Sequence, residues 1–364
     1  PTRSGMSPTR VATALLLTAL TPLIGARGWA VIFDAGSTGT RVHVYSWESR
    51  PGGGLPDVRA EPGGNMKVKP GISEFDGRPD QAGASILPLV KLAARLVPVE
   101  AQRTATVLLR ATAGMRLLPR RRAQRIYDSL VAAVAENSGF APKRDAFGTL
   151  PGDDEGVFGW LSANFLIFTD TTRSAPPAFG TMGALDLGGG STQITMPVKG
   201  VSNAVSVPMA GGQPAASVFT HSHLGFGNKQ VLGALTSAEA SACLASGAVS
   251  SNVSGGPKTL TGRGAFAECD AGVRRVLSSF DRAGQPKPQR GQRFVAMSLF
   301  FYSINFARLA GHLAPSMATT PRALLDAASA LCRVRASVLC PAHRRRRARV
   351  LRRRPRSLAR NSGV

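Results

Sequence analysis

Two stretches of the chain join a carboxylate to a turn of glycine and hydroxyl residues. The first is Val31-Ile32-Phe33-Asp34-Ala35-Gly36-Ser37-Thr38-Gly39-Thr40-Arg41-Val42, and the second is Gly183-Ala184-Leu185-Asp186-Leu187-Gly188-Gly189-Gly190-Ser191-Thr192-Gln193-Ile194. With Asp34 set on Asp186, Gly36 falls on Gly188, Thr40 on Thr192 and Val42 on Ile194. Such a turn suits phosphate, because glycines let successive N–H groups converge as an anion nest and Ser or Thr adds a hydroxyl donor. An Asp at the strand end lies too near bound phosphate to ligate it, so it is expected to act through a divalent cation or its waters. For either copy alone an ordinary Gly-rich hairpin is an equal reading. Two copies about 150 residues apart, each on a domain-sized half, predict a cleft between two related lobes.

A third chemical cluster is Gly152-Asp153-Asp154-Glu155-Gly156-Val157-Phe158-Gly159-Trp160-Leu161. Apolar spacing from Val157 onward predicts a helix, which puts three acids at its N-terminus, where the dipole favours carboxylates. They serve equally as helix-start acids or as a general base at the edge of a cleft, with Glu155 accepting a proton from water. Ala111-Thr112-Ala113-Gly114-Met115-Arg116 follows a predicted strand, Ala105–Leu109. Small residues before a basic one suit close approach to an anion, and a plain strand-to-helix turn is an equal reading.

The elements that must position these groups are legible in outline. The first hairpin pairs 30–33 with 41–47, and Pro51 to Gly64 reads as a Gly/Pro-rich loop. Helices are expected around Ile86–Val97, with Pro88 in a first turn or at a kink, and over Arg120–Asn137, which buries Ile126, Leu130, Val131 and Val134. Thr236-Ser237-Ala238-Glu239 is a capping box. Phe294–Leu309 reads as one buried helix. His221 and His223, at i and i+2 with no third ligand, read as a strand or loop feature and not a metal site.

The 364 residues suffice for two cores, and 43% are apolar. The formal charge of +24 would suit nucleic acid, but its distribution argues against that partner. Thirteen Arg and one acid lie between Thr319 and Val364, so half of the excess sits in the last 46 residues. That basic stretch, with His343-Arg344-Arg345-Arg346-Arg347 and Arg352-Arg353-Arg354, is expected to be a disordered tail. Arg3 and Arg10 precede an apolar run from Val11 to Ile24 and a small-residue exit, the pattern of a secretory signal peptide, with a signal anchor in the membrane as the rival. In that compartment Cys243 and Cys269 are expected to form a disulfide, with two buried thiols as the rival, and Asn252-Val253-Ser254 between them is a glycosylation acceptor by pattern. Zinc is not expected from four dispersed cysteines. The expected organisation is 1–28 signal segment, 29–168 first lobe, 169–318 second lobe and 319–364 tail.

Four of these segments, in order, resemble the apyrase or nucleoside triphosphate diphosphohydrolase family, which includes guanosine-diphosphatases: Asp34–Gly39, Ala111–Arg116, Gly152–Trp160 and Asp186–Gln193. The resemblance implies an α/β, two-lobed actin/hexokinase-like (RNase H-like) fold with its active site between the lobes. It also implies hydrolysis of terminal phosphates of nucleoside tri- and diphosphates with Ca²⁺ or Mg²⁺, in the secretory pathway or outside the cell. By position it makes Glu155 the base, with Ser191 helping to hold the water and Gln193 nearby as a further catalytic candidate, and Asp34 and Asp186 holding the metal through its waters. Gly36, Ser37, Thr38, Ala113, Gly188, Gly189 and Gly190 would surround the phosphates, and Tyr302 would stack on the base. The acidic run is Asp153-Asp154-Glu155 where the family has Glu residues, and Gly227-Asn228-Lys229-Gln230 only loosely resembles its ribose segment. A fifth family region, a Trp-containing helix completing the second lobe and the base clamp, has no counterpart, and the basic tail stands in its place. An exopolyphosphatase-like enzyme with similar hairpins and a non-catalytic nucleotide binder are the alternatives.

Overall fold

A computed structural model describes residues 27–48, 57–168, 180–208, 215–250, 259–280, 284–315 and 319–335. The signal segment up to residue 26, the glycosylation pattern at Asn252 and the Arg runs beyond residue 335 lie outside the described residues. The chain divides into two compact units at Glu155/Gly156, with Val205–Val218 belonging to the first. The division therefore falls inside one helix.

The first unit is built on a five-stranded sheet. β1 (Arg27–Gly36) and β2 (Gly39–Glu48) form the expected hairpin, and β3 (Asp57–Val68) pairs antiparallel with β2. The stretch read as a loop to Gly64 is thus partly strand. The register shifts between His43 and Tyr45, and this irregularity lets a Pro- and Gly-containing segment join the ladder, a pairing that local propensity argues against. Next come α1 (Ala82–Leu96), the short α2 (Val99–Gln102), β4 (Thr106–Ala111), the one-turn α3 (Ala113–Arg116), α4 (Arg120–Glu136) and β5 (Phe147–Thr149). The sheet order is β3-β2-β1-β4-β5, with β4 parallel to β1 and β5 parallel to β4. Alternation along β1 buries Val31 and Phe33 against Ile86, Leu89 and Val90 of α1 and Ile126 and Leu130 of α4, all at 0% exposure, which makes this a dry core.

α5 (Gly152–Phe168) crosses the division, and its Trp160 is fully buried with Nε1 donating to Met182 O at 2.7 Å. The second unit repeats the plan of the first. β6 (Gly183–Leu187) and β7 (Ser191–Pro197) form an antiparallel hairpin, and β12 (Phe294–Ser298) lies parallel to β6, as β4 does to β1. β9 (Ala216–Leu224) adjoins β7 in the order β12-β6-β7-β9, and its first residues pair antiparallel with β8 (Val205–Val207), a pairing inside the Val205–Val218 stretch that the division counts with the first unit. α6 (Asn228–Ala234) and α7 (Ser237–Cys243) follow, and the capping box is present at Thr236 and Glu239. The small ribbon of β10 (Val249–Ser250) and β11 (Leu260–Thr261) precedes α8 (Phe266–Leu277), which a disulfide from Cys269 to Cys243 ties to α7.

Two readings of the sequence are corrected in this unit. Phe294–Leu309 is a strand, β12, followed by α9 (Leu299–Leu309). A short apolar run fits either element, and here the long-range partner β6 decides. The expected tail begins with α10 (Pro321–Arg333), because Thr320 caps it by accepting from Ala323 N at 3.2 Å, Pro321 opens it, and Ala327 and Cys332 are buried. Among the described residues no helix is long and apolar enough to cross a membrane.

Candidate active site

In the first unit three adjacent strand ends deliver the expected residues. Asp34 stands opposite Arg110, Ala35 opposite Ala111, and Ala111 opposite Thr149, so the segments following β1, β4 and β5 leave the sheet together. Gly36 and Gly39 close the first hairpin and leave Ser37 and Thr38 as its turn. Thr112 N donates to Ala35 O at 3.1 Å and Leu150 N to Ala111 O at 2.8 Å, which locks the three exits to one another. A methyl group on Gly114 would lie 3.2 Å from Ser37 Cα and 2.7 Å from Ser73 Oγ, so Ala113 and Gly114 sit directly beside the turn. This close approach accounts for the small residues of the Ala-Thr-Ala-Gly segment.

Arg116, at the end of the same turn of helix, donates through Nε to Leu150 O at 3.0 Å and through a terminal nitrogen to the Glu155 carboxylate. Its fork spans two anchors, which fixes the direction of the carboxylate. Both side chains are largely buried, at 12% and 19% exposure, so little water screens the pair. Asp34 is half-exposed, and its Oδ2 lies 3.2 Å from Arg41.

Two cations not singled out from sequence complete this end of the unit. A methyl group on Gly39 would stand 2.8 Å from Lys67 Cε and 3.4 Å from Lys69 Cγ, so both lysine stems pass over the tip of the turn. Lys67 is also the cross-strand partner of Arg41. Burial first, then Arg41 and Lys69, push the Lys67 pKa down, against the pull of Asp34. The signal in the sequence was Lys67-Val68-Lys69, which only the pairing of β3 with β2 brings to the hairpin.

In the second unit the Gly188–Gly190 turn is held from behind. Asn228 N donates to Gly188 O at 3.0 Å, Lys229 N to Gly189 O at 3.0 Å and Gly225 N to Gly190 O at 2.9 Å. In a planar trans peptide the N–H points opposite to the C=O, so the amides of Gly189, Gly190 and Ser191 are turned away from these donors. That is the arrangement of an anion nest. Gly227 makes it feasible, since a methyl there would stand 2.5 Å from Gly189 O and closer still to the turn's backbone. Gln193, 2% exposed, donates through Nε2 to Ser191 Oγ at 2.8 Å and to Ser222 Oγ at 2.9 Å. Ser191 Oγ is therefore an acceptor here, leaving its own hydrogen to donate. Gly156, next to Glu155, seats α5 on the sheet: a methyl there would lie 2.7 Å from Thr195 Oγ1, itself 2.8 Å from Thr220 Oγ1.

Tyr302 and the His221/His223 pair lie on α9 and β9. Tyr302 lies on α9 at 66% exposure, its ring centroid 5.5 Å from that of Phe301. His223 is buried and stacked on Phe280 at 3.8 Å, with His221 edge-on at 4.5 Å, as a strand feature.

Residues 25–336 match the model of the GDA1/CD39 (nucleoside phosphatase) family. The chain belongs to that family. It is 34% identical over 294 residues to ectonucleoside triphosphate diphosphohydrolase 5 of Mesocricetus auratus, with 75% of this chain and 61% of that protein covered. It is 32% identical to the nucleoside diphosphate phosphatase ENTPD5 of Homo sapiens, covering 75% and 67%. The chain thus spans about three fifths to two thirds of the length of these two relatives. Among solved structures, a nucleoside triphosphate hydrolase from Neospora caninum superposes with a TM-score of 0.58 at 16% identity, covering 89% of this chain and 82% of that one. The two α/β sheets of this GDA1/CD39 family member therefore belong to an actin-like fold, as the family resemblance implied.

Proposed function

We propose that this chain hydrolyses the terminal phosphate of nucleoside di- and triphosphates, with Glu155 as general base. The observation that carries the reading is the chain of contacts inside the first unit, in which the Ser37 turn touches Gly114, and Arg116 in the same helical turn aims the Glu155 carboxylate. In this reading the Ser37–Thr38 and Gly188–Gly190 turns each bind phosphate oxygens through amides and hydroxyls, and Ser191, fixed by Gln193, donates to the attacking water or to phosphate. Glu155 takes one proton from that water as its oxygen bonds to the terminal phosphorus. The P–O bond to the leaving nucleotide breaks with its electron pair remaining on the departing phosphate oxygen. Phosphoryl transfer of this kind asks for positioning and charge neutralisation more than for a covalent intermediate.

Carboxylate oxygens are donors suited to Ca²⁺ or Mg²⁺. Among the described residues no three His, Cys, Asp or Glu side chains are grouped to hold an ion directly. Asp34 and Asp186 would accordingly hold the cation through water, and bound there it would neutralise phosphate charge. The disulfide between Cys243 and Cys269 supports a secretory or extracellular location. The test is phosphate release from ADP, GDP and ATP with Ca²⁺ or Mg²⁺ by the parent and by Glu155→Gln. The variant is expected to lose about 10²-fold or more in turnover with nucleotide binding kept. Equal turnover in the two proteins would remove Glu155 from this role.

A further inference from the structure

Behind Arg116, on the side of the first unit formed by the start of α4 and by β5, lies a cavity of about 480 Å³. Its polar wall carries Arg116, Arg120, Tyr127 and Thr149, and its apolar wall Met115, Leu118 and Phe147. No carboxylate lines it among the described residues. Tyr127 OH and Thr149 Oγ1 already bond to each other at 2.6 Å, so these hydroxyls are ordered on the cavity wall. The α4 helix has 17 residues, with Pro119 at its N-cap, no side chain capping its first amides and no acid in its first turn. The positive end of its dipole and two guanidinium groups therefore act on one apolar-walled space, a combination that favours an anion carrying an organic body.

We propose that this cavity is a regulatory site for a small organic phosphate or phosphonate monoanion or dianion. Arg120 and Arg116 take its charge, and Met115, Leu118 and Phe147 cover its apolar part. Arg116 is the link to catalysis, because the same side chain holds Leu150 O and the Glu155 carboxylate. An anion in the cavity draws the guanidinium toward itself and leaves Glu155 misaimed, so occupancy lowers turnover without competing for the substrate site. This coupling rests on the reading of Glu155 as the base, whereas the binding site does not.

The probe is phenylphosphonate, which resists hydrolysis, and the variants are Arg120→Ala and Gln124→Glu. Gln124 of α4 lies in the cavity lining, which holds no carboxylate among the described residues, so the substitution sets a negative charge against the anion. Calorimetric titration of the full chain is expected to show binding that weakens about 10-fold or more in Arg120→Ala, the size of one lost charge-assisted hydrogen bond, and at least as much in Gln124→Glu. In the phosphate-release assay the probe is expected to lower kcat with KM unchanged, and Arg120→Ala is expected to keep the parent's basal rate. No binding to the parent, or equal binding to the parent and Gln124→Glu, would overturn the site. Inhibition that is purely competitive and indifferent to both substitutions would overturn the coupling. If the parent releases no phosphate from any nucleotide, the catalytic reading fails, and the calorimetric comparison still decides the cavity.

Discussion

Gly227→Ala tests whether the second turn is a phosphate-binding element held from behind by backbone alone. The added methyl would stand 2.4 Å from Gly189 C and Gly190 N, where ordinary contact begins at 3.4 Å, so the turn or the start of α6 must yield by about 1.0 Å. Both partners are backbone, and no flexible side chain can absorb the shift. The displacement strains the bonds from Asn228 N to Gly188 O and from Lys229 N to Gly189 O, which direct the turn's amides. Overpacking of this kind costs about 1–3 kcal/mol, which lowers Tm by roughly 2–12 °C for a unit of this size. A reactive-site displacement near 1 Å costs about 10²-fold in rate. The assay is phosphate release from GDP beside a thermal melt, with Gly77→Ala as the control, since a methyl there meets nothing within 4 Å. A folded Gly227→Ala protein with parental kcat/KM would refute the reasoning. A lowered Tm with full activity would leave the turn a structural element only.

Three further outcomes are expected. Arg116→Lys keeps the charge but cannot span Leu150 O and Glu155 at once, so kcat should fall about 10-fold or more with KM little changed, and parental kcat would show that the fork is not needed. Lys67→Ala with Lys69→Ala should raise the dissociation constant for ADP, measured in EDTA, by about 10-fold while adenosine binding stays the same. Because burial first, and then the neighbouring cations, hold the Lys67 pKa down, a bound phosphate raises it, and ADP affinity should fall as pH rises through that lowered value. A flat alkaline profile identical in the double variant would count against this. The hydrogen bond from Arg275, with the Thr236 backbone, pulls the Glu239 pKa down to about 2 from its ordinary value near 4.5. A depressed carboxylate contributes stability above its unfolded pKa and loses it as pH falls through the folded one. Acid unfolding between about pH 4.5 and 2 should accordingly be shallower in Glu239→Gln, and superimposable melts across that window would sink the assignment.

What the sequence determined by itself was local and repetitive. The two hairpins announce themselves through glycines and an aspartate at matching offsets, and α4 through its 3.6-residue spacing. The capping box at Thr236 and the run of acids opening α5 needed only adjacent residues, since capping and dipole effects act within one helical turn. Membership of the nucleoside phosphatase family followed from four such local signatures in order.

The tertiary structure decided whatever depends on partners far along the chain. β3 exists because β2 offers a ladder and an irregular register takes up its Gly and Pro. Phe294–Ser298 is a strand because β6 lies beside it, since an apolar run of five residues carries no periodicity that separates helix from strand. The tie between Arg116 and Glu155 crosses 39 positions, and the passage of Lys67 and Lys69 over Gly39 crosses about 30. Nor does anything near Gly227 in the chain show why a methyl is excluded there, because the obstacle is the backbone of a turn nearly 40 residues earlier. Residue types and their spacing name the chemistry that short-range forces can hold, and the packing of distant backbone fixes the direction in which that chemistry points.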